Sequence, residues 1–214
     1  MSVPDPVDWL AWHQDYDDPA SPLSRRRRVV QHYLRTALAE QPPGGAPGSV
    51  RLISLCAGDG VDVLEVLHSE NRVRALLVEL DPQLASRARN AAERLPEVEV
   101  VTGDAALTAR YLAFGRAHVL VAVGVFGNID EADLRRTIAV LPALIEPDGL
   151  LVWSRGRGAG ERDASDLVRE LLAGAGFAEL DVTVPDDAKY RVGLHRLVRP
   201  AAGLTVPERL FRFR

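Results

Sequence analysis

The sequence has one cysteine, Cys56, and one lysine, Lys189, among 214 residues. A lone cysteine excludes an intramolecular disulfide. No Cys/His cluster has the spacing of a zinc site, so no metal ligand set is expected. No apolar run approaches the roughly 20 residues that span a bilayer. The N-terminal MSVPDPVDWLAWHQDYDD lacks a basic stretch followed by an apolar one. No signal peptide is therefore read, and the expected location is cytoplasmic. A basic excess is missing too. The net charge of -4 disfavours a dedicated nucleic-acid binder. Nothing in the sequence speaks to oligomeric state.

What is present suits an ordinary globular chain, with 47% hydrophobic and 26% charged residues. The length favours one domain with an extension. The arginine-for-lysine bias, with abundant Ala, Val, Gly and Pro, points to a high-GC genome such as an actinobacterium. Residues 1–48 read as a helical N-terminal extension or lid. Its helix starts at Ser21-Pro22 or Ser24, runs to about Glu40, and ends at the breaker cluster QPPGGAPGS. Residues 49–199 then alternate strands and helices, and 200–214 form a tail.

Strands are expected at Val50 to Leu55, Arg74 to Leu80, Val98 to Thr102, His118 to Val123 and Gly149 to Trp153. Two more, Phe177 to Val184 and Tyr190 to Val198, have no helix between them. Helices are expected at Pro82 to Leu95, Leu107 to Ala113, Glu131 to Leu144 and Arg162 to Ala175, with another after Gly60. Short apolar strands separated by helices give an α/β, Rossmann-like, doubly wound sheet. It has seven strands, mostly parallel, and ends in an antiparallel hairpin.

In such sheets ligands bind beyond the carboxyl ends of the strands, where strand order reverses. The first strand exits into Cys56-Ala57-Gly58-Asp59-Gly60, a turn whose glycines let a ligand approach backbone. The second ends at Glu79-Leu80, where an acid about 20 residues past the turn suits ribose hydroxyls. Asp81 competes for that role, but it precedes Pro82 and suits a helix N-cap. The third strand ends at Asp104-Ala105, an acid and a backbone edge for an adenine ring. The fourth ends in Val123-Gly124-Val125-Phe126-Gly127-Asn128, with Phe126 as an apolar or cation–π surface and Asn128 as an orienting group. Arg155 and Arg157, read as following the fifth strand, suit an acceptor carboxylate or phosphate. Cys56 also reads as a packing residue, His195 as a sheet residue, and Arg25 to Arg28 as a solvated helix face.

The ordered series LISLCAGDG, LLVELDP, VVTGDA, VLVAVGVFGNI, LPALIEPDGLLVW and AGF resembles the motifs of class I S-adenosylmethionine-dependent methyltransferases. The resemblance covers roughly residues 50–198. It implies S-adenosylmethionine as cofactor, with the Gly58–Gly60 loop at its methionine part, Glu79 at the ribose, and Asp104 with Ala105 at the adenine. Two positions depart from the pattern. Cys56 stands where the turn usually begins with glycine, and Ser54 stands where the family often has an acid. WH-x-x-Y-D-x-P-x-S-P-L at the N-terminus and LFRF at the C-terminus resemble a group of actinobacterial methyltransferases.

The expected activity is methyl transfer to O or N of a small molecule. The polar cluster His13, Asp15, Tyr16 and Asp17 offers His13 or Asp15 as a base, with Trp12 and Tyr16 as apolar walls. Two rivals stand beside this reading. One is a non-catalytic S-adenosylmethionine-binding regulatory protein. The other is an NAD-dependent oxidoreductase, whose G-x-G-x-x-G would need glycine where Val63 stands. A methyltransferase acting on rRNA or tRNA is disfavoured by charge and by the lack of an RNA-binding appendage.

Overall fold

The computed structural model describes residues 18–42, 46–160, 162–199 and 203–214. Trp12, His13, Asp15, Tyr16 and Asp17 lie outside the described residues.

Helix α1 (Pro22–Ala39) starts where the sequence places it. Ser21 is its N-cap and accepts from the Ser24 amide at 3.0 Å, and Pro22 fills the first turn. The strands and helices that follow are β1 (Val50–Leu55), α2 (Val61–Leu67), β2 (Val73–Glu79), α3 (Pro82–Ala91), β3 (Val98–Thr102) and α4 (Ala109–Phe114). After these come β4 (Ala117–Ala122), α5 (Glu131–Leu144), β5 (Ile145–Gly156), α6 (Ala164–Gly174), β6 (Phe177–Thr183) and β7 (Tyr190–Leu197). Asp81 is the N-cap of α3, accepting from the amides of Gln83 and Leu84.

All seven strands form one sheet in the order β3-β2-β1-β4-β5-β7-β6. The pairs from β3 through β5 are parallel. β7 runs antiparallel to both β5 and β6. Strand order reverses between β1 and β4, which is where a doubly wound sheet opens its crevice.

Period-two alternation divides the strand side chains between two apolar cores. Ile53, Leu55, Leu120, Ala122, Leu151 and Trp153 face one way and pack with residues of α4, α5 and α6. Leu52, Val119, Val121, Leu150 and Val152 face the other and pack with α1, α2 and α3. α1 is therefore a layer of the main core: Val30, Leu34 and Ala37 are fully buried in it. Trp153 lies over bare Gly193 of β7, where a Cβ would come within 2.4 Å of the indole. Among the described residues no helix is long and apolar enough to cross a membrane.

The helix after Pro82 ends at Ala91, short of the expected Leu95, and both ends of β5 differ from the sequence reading. β5 begins at Ile145, before Pro147-Asp148-Gly149, because that apparent turn is an irregularity within the strand. β5 also runs on to Gly156, since Ser154, Arg155 and Gly156 still pair with Val192, Arg191 and Tyr190 of β7. Arg155 is thus a strand residue rather than a loop residue.

Candidate active site

A cavity of about 850 Å³ opens at the carboxyl ends of the strands, across the β1/β4 reversal. That volume falls within the usual range for small-molecule sites.

One half is built by the loops after β1, β2 and β3. Gly58 adopts φ 60° and turns its amide onto Glu79, whose Oε2 accepts at 2.8 Å. Oε1 of Glu79 accepts from the Asp81 amide, also at 2.8 Å. A carboxylate has about four lone-pair sites, so two are left for ligand hydroxyls. Leu80 lines the same wall and is 61% exposed, an apolar shelf uncovered among the described residues. Asp104 and Ala105 complete this half. Oδ1 of Asp104 accepts from the Ala106 amide, and Oδ2 pairs with Arg209 at 2.7 Å.

Cys56 begins this wall in a left-handed conformation, φ 53°, which side-chain-bearing residues rarely adopt. Burial pushes its thiol pKa well up, and the charges of Glu79 and Asp104 push it further. It is a neutral thiol, unsuited to nucleophilic attack.

The other half comes from the loop after β4, the end of β5, the β6–β7 hairpin and the C-terminal segment. Val123 and Gly124 form its floor. Gly124 has φ 75°, and a Cβ there would meet nothing within 4 Å, so its bare face opens on the cavity. The Gly124 amide donates to Ser154 Oγ at 3.2 Å. Asn128 lines the wall, and its Nδ2 donates to the Gly124 carbonyl at 2.7 Å. That bond holds the loop and leaves Oδ1 as the carboxamide's remaining polar atom. Arg155, Lys189, Tyr190, Phe213 and Arg214 form the outer wall.

The C-terminal segment arrives here as a strap across the loops after β3 and β4. Leu210 and Phe211 are buried, and the Leu210 amide donates to the Ala106 carbonyl. The Arg212 amide donates to Asp133, and the Arg214 amide to the Asn128 carbonyl.

Three expectations are corrected. Phe126 is fully buried against Trp153, with ring centroids 6.3 Å apart, and does not line the cavity. Phe213, 43% exposed, presents the aromatic ring there instead. Gly60 lies beneath the loop and off the cavity wall. A Cβ on it would strike Leu64 at 2.5 Å, so its bareness serves helix packing. The Arg25–Arg28 run is not a uniform solvated face: Arg26 is only 8% exposed, lines the cavity, and stands 3.6 Å from Asp62. Arg25 pairs with Asp187 through both terminal nitrogens.

Cys56, Ala57, Gly58, Glu79, Leu80, Asp104, Ala105, Val123, Gly124, Asn128 and Arg155 do meet at one cavity. Sequence reasoning missed Ser154, Lys189, Tyr190, Phe213 and Arg214. For Phe213 the available signal was the terminal LFRF, two exposed-or-buried aromatics between arginines in a segment with no helical or strand period.

No family model matches the chain, and no curated protein matches it in sequence. Solved structures do share its fold. An O-methyltransferase family protein from Burkholderia thailandensis is 17% identical, with a TM-score of 0.62 over 81% of this chain and 55% of that one. The CurJ carbon methyltransferase is 15% identical, with a TM-score of 0.64 over 81% of this chain and 54% of that one. The cyclase SpnF is 16% identical, with a TM-score of 0.58 over 79% of this chain and 80% of that one. The chain thus spans about half the length of the first two. At these identities the likeness is one of fold: the seven-stranded α/β sheet with its antiparallel β5-β7-β6 edge.

Proposed function

We propose that this chain is an S-adenosylmethionine-dependent methyltransferase that modifies O or N of a small molecule. The observation that carries the reading is a set of groups lining one cavity. Glu79 is fixed by the Gly58 amide with lone pairs to spare, Leu80 is an uncovered apolar shelf, and Gly124 shows the cavity a bare face. These groups fit a nucleoside with an amino-acid tail: Glu79 for the ribose hydroxyls, Leu80 for the adenine face, and the Cys56–Gly58 backbone for the tail. Asp104 would take the adenine amine while keeping its pairing with Arg209. The similar O- and carbon methyltransferase structures support the same reading.

Bound S-adenosylmethionine supplies an electrophilic methyl group on a positively charged sulfur. The chain's own work is to bind, align and exclude water. Alignment of two reactants contributes roughly 7–11 kcal/mol. Phe213, on the Gly124 side, provides an apolar rim against water.

Among the described residues lining the β4–β5–β7 end, none is a histidine or carboxylate. A histidine or carboxylate base for a hydroxyl acceptor would therefore come from elsewhere, and His13 and Asp15 are our candidates, with Trp12 and Tyr16 as walls. Turnover by the His13→Ala, Asp15→Ala double variant tests this. An NAD-dependent oxidoreductase fits less well, because Val63 at the third glycine position is 1% exposed in the core. The cyclase SpnF carries a different activity on the same fold, which favours one second reading: binding of the cofactor without methyl transfer.

The deciding experiment is calorimetric titration with S-adenosylhomocysteine and with NAD, followed by an acceptor screen that reads S-adenosylhomocysteine release. Binding of the adenosyl compound alone is expected. Glu79→Ala should weaken it by roughly a hundredfold, since two backbone donors and the ribose lose their acceptor. Undiminished affinity in that variant overturns the placement. Binding without release in any acceptor supports the second reading.

A further inference from the structure

The two ends of the cavity carry opposite charge. Asp59, Glu79, Asp81 and Asp104 line the adenosyl end, and Arg26 and Asp62, 3.6 Å apart, also line the cavity. At the other end Arg155, Lys189 and Arg214 line the wall, and no Asp or Glu among the described residues joins them.

Arg155 is the centre of this end. Its backbone is held in β5, paired with Arg191 of β7. Its side chain passes beside Gly127, whose Cβ position would lie 3.9 Å from Arg155 Cγ. Nη1 of Arg155 is buried and has no hydrogen-bond partner among the described residues. Arg214 sits on the same loop residue, donating from Nη2 to the Gly127 carbonyl at 3.1 Å.

The nearby carboxylates are engaged elsewhere. Glu131 accepts two bonds from Arg135. Asp163 accepts from Arg191 and Ser165. Burial, and next the charge of Arg214, lower the pKa of Arg155, and the charges of Glu131 and Asp163 compensate this only in part. Arginine nonetheless stays charged in proteins. A half-buried cation with an unpartnered donor is costly to keep, and an oxyanion, which takes the planar fork of a cavity-lining guanidinium, compensates it.

Resting on the methyl-transfer reading, we infer that the acceptor carries a carboxylate or phosphate group, bound by Arg155 with Arg214 beside it. The anion sits at the end remote from Glu79 and Asp104, whose charges repel it. That polarity orients the acceptor, placing its nucleophilic atom toward Gly124.

The test uses the arginine Nε–H signals of the 15N-labelled protein, with the Arg155 signal identified by its loss in Arg155→Gln. Benzoate, methyl phosphate and benzamide are each titrated with and without saturating S-adenosylhomocysteine. The Arg155 signal is expected to move saturably with benzoate or with methyl phosphate, whichever matches the acceptor's anion, and not with benzamide. Arg155→Gln should weaken that probe about tenfold or more. Its affinity for S-adenosylhomocysteine should stay within about twofold, because that ligand is held at the other end. The inference is overturned if neither anion moves the signal, or if benzamide moves it equally. Failure to bind S-adenosylhomocysteine overturns the methyl-transfer reading instead, and the titration without it still decides whether an oxyanion site is present.

Discussion

The two ends of the cavity are built in different ways. The end proposed for the nucleoside is assembled from short loops, each following its own strand in sequence, with the polar groups fixed by backbone amides of those loops and, at Asp104, also by Arg209 of the C-terminal segment. Gly58 to Glu79 and Asp81 to Glu79 are contacts of this kind. The acceptor end is assembled from distant pieces. Arg155 on β5, Lys189 in the hairpin and Arg214 in the strap meet only because the antiparallel edge and the C-terminal segment return to the cavity. Under the proposed function, the first design is the one that holds the nucleoside.

The difference extends to the core beneath each end. Under the acceptor end lies His195 of β7, 1% exposed, with Trp153 Nε1 donating to its Nδ1 at 3.2 Å. Burial lowers the His195 pKa from 6.5 to about 4, against an opposing pull from Glu179. The folded state therefore keeps the ring neutral where the unfolded chain binds a proton. Stability is full above about pH 6.5 and falls as pH drops toward 4. The loss from this one group reaches about 3 kcal/mol. Urea unfolding at pH 7 and at pH 4.5 should show it, and His195→Gln should remove most of the difference. Hydrogen exchange should open β5 and β7 before β1 and β2 in acid. Parallel pH profiles for wild type and variant would break the contrast between the two ends.

The same contrast governs what was legible in the sequence. Strand positions, the hairpin and most of the first-half residues follow from local pattern: apolar runs, a glycine turn, an acid at a strand end. Glu79 and Asp81 were separable because Pro82 marks the helix start, and Asp81 is indeed the cap. Two local readings failed because pattern does not give direction. In VGVFG every side chain is apolar or absent, so nothing told Phe126, which points into the core, from Gly124, which faces the cavity. In the first turn, a glycine demanded by Leu64 looks the same as one that admits a ligand. Arg214 and Lys189 were illegible because their place depends on tertiary return, which no window of sequence contains.

Those two glycines sharpen the comparison at a smaller scale. Gly60 and Gly124 both have positive φ, 80° and 75°. Alanine at either should cost about 1–2 kcal/mol from the left-handed backbone alone. Gly60→Ala adds a contact at 2.5 Å with Leu64 Cδ1, so it should be the less stable variant. Gly124→Ala adds a methyl group to the open cavity, so it should lose more affinity for S-adenosylhomocysteine. Thermal unfolding and calorimetry on both variants read the two effects separately. The same ranking in both measurements would dissolve the distinction between a packing glycine and a cradle glycine.

Cys56 carries the smallest expected effect, because two opposing terms meet there. Its φ of 53° strains a side-chain-bearing residue, at a cost of roughly 1–2 kcal/mol. Glycine would remove that strain but would loosen the unfolded chain and give up the side chain's contacts with the apolar core under β1. The net change in stability for Cys56→Gly should stay within about 1 kcal/mol. Cys56→Val keeps the strain and adds β-branched bulk, so it should be clearly less stable than Cys56→Gly. Denaturant unfolding of the pair checks this. Equal stability of the two would mean that the backbone relaxes out of the left-handed region, and that the opening turn of the adenosyl end is softer than its amide contacts to Glu79 require.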